Sequence, residues 1–563
     1  MSENPPVQAG NPQPDAPERP RATVETERKY RVHGLFRLPD LVAAGAVSRM
    51  DDGGVTQLDA TYYDTDDLRL AREGITLRRR LGGDDEGWHV KLPLGEVGTA
   101  RSREEIALPL SASDSDEVPD QLRLLVGAIV RGDELRPVAT LRTERHSYPL
   151  TPNADVVAPP TEGEPTGGEA GGTPAQPDTP VAILTDDVVS VLDNDGTMVA
   201  RFRELELEDS PDADPAVAAD LAAVVSRALV AAGAVTGEFV SKAVRALGPF
   251  AAAPPEVPEP PTVTPRDPAR DAVRAHIARH TRRLRAADMM VRRDAEDAVH
   301  QMRVAARRIR SGLRVFRPLL DQEWADALRE ELAWVAGELG DYRDTEVLLA
   351  RLEEHLDRLP DGVDPQPARE HVELVLSQRL AQARERALAM LDSKRYHDLQ
   401  ARLVSASDDP VTTAQADLPG HQTIPPLVER AWKKLAKESV RLLADEVSQE
   451  GGAPDTEWHA TRITAKKARY AAEAAAPVFG DEAAAFAKAL SRVTEVLGEH
   501  QDGAIAIERI KELAADEQVS APAAFGLGAL LSVEHDSARA AREEFSTVWS
   551  QVSRRQWRRW LRG

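Results

Sequence analysis

The 563-residue sequence has no cysteine, and that absence removes disulfides, thiolate metal sites and thiol nucleophiles together. Long apolar runs are missing too. Nothing approaches the roughly eighteen consecutive apolar residues of a membrane-spanning helix, so no span is expected. Aromatic residues make up only 4% of the chain, and no cluster of them marks a base-stacking pocket. The opening stretch, MSENPPVQAGNPQPDAPERPR, lacks the basic-then-apolar pattern of a secretory signal and reads as a disordered tail over 1–21. These absences fit a cytoplasmic chain. Positive charge is in deficit, with 71 Lys and Arg against 94 Asp and Glu for a net −23. That argues against a nucleic-acid binder.

What is present is a soluble composition, 42% hydrophobic and 29% charged, in a chain too long for one core. Two Pro-rich stretches punctuate it. Residues 152–180, rich in Pro, Gly, Glu and Thr, cannot build a core and read as a disordered loop insertion between strand-like runs. Residues 249–267 (the run FAAAPPEVPEPPTVTPRDP and its edges) read as a stiff linker. Before the linker, over 22–248, come short alternating runs such as TERKYRV, ITLRRRL, GWHVKLPL and ARFRELELE, broken by the turn signals DDGG, GGDDEG and DNDG. They predict an antiparallel sheet or barrel, with helices near 119–131 and 214–233. After it, over 268–560, the period becomes helical almost throughout. The expected class is therefore α+β multidomain: a closed antiparallel β-barrel with flanking helices, then an all-α domain.

The strands repeatedly place charge on one face. Glu25, Glu27 and Lys29 alternate, as do Arg78 and Arg80, His89 and Lys91, Arg101, Arg103 and Glu105, Thr143 and Arg145, and Glu204, Glu206 and Glu208. For a single strand this is an ordinary solvated face. Three like charges in RELELE repel unless a cation lies between them, and several other strands offer only bases. With these faces inward, the barrel would hold a carboxylate patch and a ring of Arg and Lys. Such a lumen suits a chain of phosphates with Mg²⁺ or Mn²⁺.

The ordered series from Glu-x-Glu-x-Lys at 25–29 through Arg78, Arg80, Lys91, Arg103, Arg145, Asp193, Glu204-x-Glu206 and Lys242 resembles the CYTH domain, the triphosphate tunnel metalloenzymes. The resemblance implies a closed barrel that hydrolyses a terminal phosphate with a divalent metal. It implies Glu25, Glu27, Glu204 and Glu206 as metal-side carboxylates, with Asp193 helping to hold metal or water. Lys29, Arg78, Arg80, Lys91, Arg103, Arg145 and Lys242 would bind phosphate. Glu208 stands as an alternative ligand to Glu206, because spacing does not choose the register.

The helical half contains a repeat. VHQMRVAARRIR and WHATRITAKKAR share a His-x-x-Arg-x-x-x-basic-basic-x-Arg pattern, and each is followed by a Leu-Gly-x-x-x-Asp element, LGDYRD and LGEHQD. Both signals recur at nearly one offset, which predicts duplicated bundles over about 268–400 and 421–560. His300, Arg303, Arg307 and Arg310 form one helical stripe with Arg308 beside it; His459, Arg462, Lys466 and Arg469 form the other with Lys467 alongside. Uncompensated like charge at this spacing repels itself. The pattern resembles the CHAD domain, whose basic channel implies binding of inorganic polyphosphate; polyphosphate granules are a further candidate partner, chiefly under the scaffold reading below. The aspartates of the Leu-Gly elements read as structural partners of a base. His276 and His280, one turn apart, lack a third metal ligand, and the basic, aromatic C-terminus RRQWRRWLRG reads as a final helix packed through its tryptophans.

The sequence therefore predicts a metal-dependent triphosphatase acting on inorganic triphosphate or short polyphosphate, joined to a polyphosphate-binding module. The rival readings are a nucleotide or thiamine triphosphatase or an adenylate cyclase in the same barrel, and a non-catalytic polyphosphate scaffold. Oligomeric state is not encoded in any feature of the sequence.

Overall fold

A computed structural model describes residues 21–97, 100–113, 115–153, 179–193, 195–236, 241–449 and 452–562. The expected tail up to residue 20 and the expected insertion over 154–178 lie outside the described residues. The chain forms two compact units. One comprises the described residues up to Arg123 with Asp133–Glu256, and the other Leu124–Gly132 with the described residues from Val257 onward.

The first unit contains β1 (Arg21–Val32), β2 (Arg49–Met50), β3 (Val55–Asp64), β4 (Thr76–Leu81), β5 (Gly87–Val97), β6 (Ala100–Leu108), β7 (Arg136–Thr151), β8 (Ala182–Leu192), β9 (Met198–Asp209) and β10 (Val235–Thr236). The eight long strands pair antiparallel in the order β1-β6-β5-β4-β3-β7-β8-β9, and β9 pairs back onto β1 to close a barrel. Strand β2 adds to β7, and β10 to β1. The register explains why the charged faces meet. Lys29 stands opposite Glu206, Glu25 opposite Arg103, Lys91 opposite Glu105, Tyr62 opposite Arg78, and Arg145 opposite Asp187, which is itself opposite Glu204. Directly opposed residues share a face, so the alternation in each strand becomes one continuous charged lumen.

The intervening residues fix which face is out. Tyr30, Leu184, Leu205 and Leu207 form an outer core with Leu221, Val225 and Leu229 of a helix over Pro215–Ala231. Each buried leucine there is worth about 2 kcal/mol, so a one-residue slip would lose this core and expel the charges. That helix starts cleanly: Pro215 is its first residue, and the Asp214 side chain accepts from the N–H groups of Ala216 and Val217. A short helix over Lys242–Leu247, capped by Ser241, follows. Its Ala243 packs with Ala60, Tyr62, Leu141, Val189 and Val191, and so sets Lys242 at the lumen.

The second unit is helical. The successive helices that matter below are α1 (Ala269–Arg292), α2 (Ala298–Val315), α3 (Gln322–Glu338), α4 (Gly340–Leu356), α5 (Gln366–Leu391), α6 (Lys394–Asp408), α7 (Gly420–Ser448), α8 (Asp455–Phe479), α9 (Asp481–Ala514) and α10 (Ala521–Val552). One apolar core runs through both repeats, from Met302, Ile309 and Leu328 to Trp432, Trp458, Phe486 and Phe545. A separate core forms where α4 and α5 meet α9 and α10, around Leu352, Leu356, Val372, Ile510 and Leu527. The two stripe-bearing helices, α2 and α8, pack against each other across the repeat boundary. The C-terminal stretch is a 3₁₀ helix over Arg555–Arg562, whose Trp560 packs on Phe479 with ring centroids 5.2 Å apart. Among the described residues no helix is long and apolar enough to cross a membrane. The Pro-rich stretch is anchored within each unit: the Pro254 carbonyl accepts from Arg72 at 2.9 Å, and the Val257 carbonyl from Arg282 at 3.1 Å.

Candidate functional site

The barrel lumen is a cavity of about 100 Å³. Glu25, Glu27, Lys29, Tyr62, Thr76, Arg78, Arg80, Asp85, Lys91, Arg103, Glu105, Arg145, Glu206, Glu208, Ser241 and Lys242 line it. All seven bases expected to bind phosphate are therefore gathered in one place, with three of the four expected metal-side glutamates. The fourth, Glu204, is buried beside Lys242 at 3.1 Å and Arg245 at 3.4 Å.

Acids and bases interleave rather than segregate. Lys242 lies 2.9 Å from Asp187 and 2.6 Å from Glu206, and Arg145 lies 2.7 Å and 3.1 Å from the same two. Lys29 pairs with Glu206 and stands 3.4 Å from Glu27, which Arg103 approaches at 3.8 Å. Lys91 pairs with Glu25, and Arg80 with Asp85. Glu105 receives His89 at 2.9 Å and Arg78 at 3.4 Å.

Burial and charge then pull the protonation states apart. Burial works to lower Lys29, but Glu206 and Glu27 outweigh it and hold the ammonium charged. Burial likewise opposes Glu206, yet Lys242, Lys29 and Arg145 keep its carboxylate well below the usual range. Glu25 behaves oppositely: burial and its hydrogen bond with Glu105 push it up to about 8 against Lys91. Burial raises Glu208 as well. The lumen thus holds fixed cations, carboxylates kept ionised, and one carboxyl, Glu25, pushed up to about 8.

The structure corrects one expected ligand. Asp193 is exposed in the turn after β8, where its Oδ1 accepts from the N–H groups of Asp195 and Thr197 at 3.0 Å and 2.8 Å. It shapes a hairpin and does not line the lumen. The acid that stands among the bases is Asp187, fully buried in the middle of β8. Glu105, Asp85 and Tyr62 were also outside the expected set. The signal for Asp187 was an acid in the otherwise apolar run VAILTDDVVSVL, and for Glu105 its shared strand face with Arg103.

The donor set suits a hard divalent cation: every carboxylate offers oxygen, and the buried Glu27 Oε1 has no hydrogen-bond partner. Among the described residues no three acids or histidines already converge as a cage. A cation would compete with Lys29 and Lys242 for Glu27 and Glu206.

In the helical unit, both stripes repeat the same local geometry. Arg303 reaches Asp344 at 2.9 Å and the Gly340 carbonyl at 3.0 Å, and Arg462 reaches Asp502 at 3.4 Å. The aspartates of the Leu-Gly elements thus orient one arginine per repeat. His459 meets Gln501 at 2.6 Å, and His300 lies half-buried near Arg343, Arg303 and Arg307. Where α2 and α8 face each other, Arg307 and Arg308 lie 5.9 Å and 5.2 Å from the Tyr470 ring. Burial, together with Arg462 and Arg307, lowers the Lys466 ammonium to about 8. Burial and Arg469 lower Arg308 to about 10, with Arg307 and Arg283 adding to the effect. Lys467 feels Arg314, one turn beyond Arg310 on the facing helix, and Arg310 is exposed beside Arg329 and Arg314. His276 and His280 are buried, their rings 4.6 Å apart, and His276 donates to the Arg308 carbonyl at 2.9 Å. They serve packing of α1 on α2.

A closed charged barrel followed by a duplicated helical unit with two basic stripes defines a two-domain class. The CYTH domain model matches residues 23–230, and the CHAD domain model residues 275–511. Two uncharacterised proteins of Mycobacterium tuberculosis are 32% identical over 533 residues and 33% identical over 540, each covering 94% of this chain and 96% of the relative. A solved CHAD domain from the plant Ricinus communis is 25% identical, covers 51% of this chain and 95% of its own, and superposes with a TM-score of 0.40. The chain belongs to the proteins that join a CYTH domain to a CHAD domain.

Proposed function

We propose that the barrel hydrolyses the terminal phosphate of inorganic triphosphate or short polyphosphate with Mg²⁺ or Mn²⁺, and that the helical unit binds polyphosphate along its facing stripes. The observation that carries this reading is the convergence of Lys29, Arg78, Arg80, Lys91, Arg103, Arg145 and Lys242 on one small lumen with Glu25, Glu27 and Glu206. Arginine forks and ammonium groups at this density match the non-bridging oxygens of consecutive phosphates. Tyr62 is the one aromatic ring among the described lining residues, and its hydroxyl is committed to Arg78. A nucleobase or thiazole would find at most this one ring among the described lining residues, which favours an inorganic chain.

Glu25, Glu27, Glu204 and Glu206 would hold the metal, which when bound supplies charge neutralisation at the phosphoryl oxygens and an acidified water. The chain's own groups do the rest. Arg145 and Lys242, fixed by Asp187 from behind, would grip one phosphate; Arg78, Arg80 and Arg103 would grip the next. Once phosphate draws Arg103, Arg145 and Lys242 away, Glu27 and Glu206 keep Lys29 as their remaining cation. Glu25, pushed up to about 8 in the free lumen, is placed to exchange a proton with water there. Charge developing on the leaving oxygen would meet preorganised donors, the main source of rate in phosphoryl transfer.

The test is the double variant Glu25→Ala with Glu204→Ala. Phosphate release from triphosphate should fall by at least about a hundredfold, while retention of long polyphosphate stays at the wild-type level. Release that survives in the double variant would refute the site assignment.

A further inference from the structure

The two stripes differ in the sign of charge at one position. At the same distance after His300 and His459, the first stripe continues with Arg314, whereas the second is interrupted by Glu473. Glu473 Oε1 accepts from Arg469 Nε on its own helix at 2.9 Å, and the same carboxylate is ion-paired with Arg308 on the facing helix. Arg469 also donates to Thr494 Oγ1 at 2.9 Å, so its guanidinium is held in place. The Glu473 side chain is 19% exposed and Arg308 21%. One carboxylate therefore bridges one cation of each repeat, at the place where the stripes approach.

Like charges facing each other across two packed helices repel, and an anion between them relieves the repulsion. A carboxylate tethered to α8 provides that relief with no loss of ligand freedom. When a polyanion enters, its phosphates do the same for Arg308 and Arg469, and Glu473 becomes a like-charged neighbour. A short phosphate that takes those two arginines loses the carboxylate pair and gains little else. A long chain also has Arg303, Arg307, Lys466 and Arg462 to sit on, so it can bind without displacing Glu473 and does not bear that cost.

We propose, building on the polyphosphate-binding reading above, that Glu473 is a built-in counter-anion of the helical channel. It occupies the Arg308–Arg469 pair in the free protein and so discriminates against short phosphates in favour of long linear chains.

The experiment uses the full chain with a chelator present, so that nothing is hydrolysed. Labelled long-chain polyphosphate is bound, and inorganic triphosphate is added as competitor. In Glu473→Gln, which keeps an acceptor for Arg469, the preference for long chain over triphosphate should fall roughly tenfold, as expected for loss of one charge-assisted pair. Arg314→Glu, which places a second acid at the matching position, should raise that preference. Glu517→Gln removes the same formal charge from the exposed turn between α9 and α10 and should change nothing. An unaltered preference in both Glu473→Gln and Arg314→Glu overturns the inference, as does an equal change in Glu517→Gln. Failure of the underlying reading looks different: Arg303→Glu with Arg462→Glu would then leave long-chain retention intact.

Discussion

Asp187 and Asp193 lie six residues apart, and their contrasting environments give opposite expectations. Asp187 is fully buried between Arg145 and Lys242. Changing it to Asn leaves two buried cations short of a partner, at a cost of about 3 kcal/mol in unfolding free energy. It should also slow phosphate release, since those cations lose their support. Asp193→Ala removes only a turn cap, so unfolding should shift by less than about 1 kcal/mol with release unchanged. Denaturant titration and a phosphate assay on the two variants check both statements; equal effects would contradict the assignment. Lys466 carries the pH dependence of the helical unit. Its folded value of about 8 lies below the ordinary lysine value of 10.5. Between those values the unfolded chain binds more protons, so the unit's stability should rise slightly with pH over that window. Polyphosphate retention should move the other way, falling between pH 7 and 9 as the ammonium empties. Lys466→Arg should abolish the fall, because a guanidinium stays charged throughout. At this scale most of the lumen's charged lining was legible in advance, because charged residues alternating through a strand leave a readable trace. Asp187 was not: a single acid beside a second one, Asp186, does not announce which of the two points inward.

At the scale of elements, the barrel depends on register and the helical unit on close approach. Strand β8 meets β9 through a bulge at Val191 and Leu192, which shifts the pairing by one residue. Counting back from the DNDG turn therefore does not reveal that Asp187 lies opposite Glu204. The turn itself was legible, and so was the outward Leu205 and Leu207 pair; the bulge had no sequence mark. The α1–α2 contact has a similar hidden determinant in Gly312. A Cβ added there would overlap the His276 ring, which is itself tied to the Arg308 carbonyl. Gly312→Ala should destabilise the helical unit by about 1–3 kcal/mol despite its better helix propensity, and should displace Arg308 from the channel. His276→Ala in the same chain should restore more than half of that loss. A double-mutant cycle by thermal unfolding reads the coupling, and additive effects would contradict the contact. The pair His276 and His280 has metal-ligand spacing but no third ligand, and its burial against α2 fits packing.

For the whole molecule, the duplicated histidine motifs and the two kinds of periodicity made both halves readable, because repeats and strand alternation are properties of order along the chain. The meeting of the two stripes was less accessible, since it depends on how α2 packs on α8. The account places chemistry in the barrel and polymer binding in the helices, and the barrel claim is the more exposed to test. The most direct measurement is phosphate release by the full chain from inorganic triphosphate, short polyphosphates, ATP and thiamine triphosphate, with Mg²⁺, with Mn²⁺ and with a chelator. The account predicts metal-dependent release, fastest from the inorganic substrates and abolished by the chelator. Cyclic AMP as the main product from ATP, or no release from any inorganic chain with either metal, would contradict it.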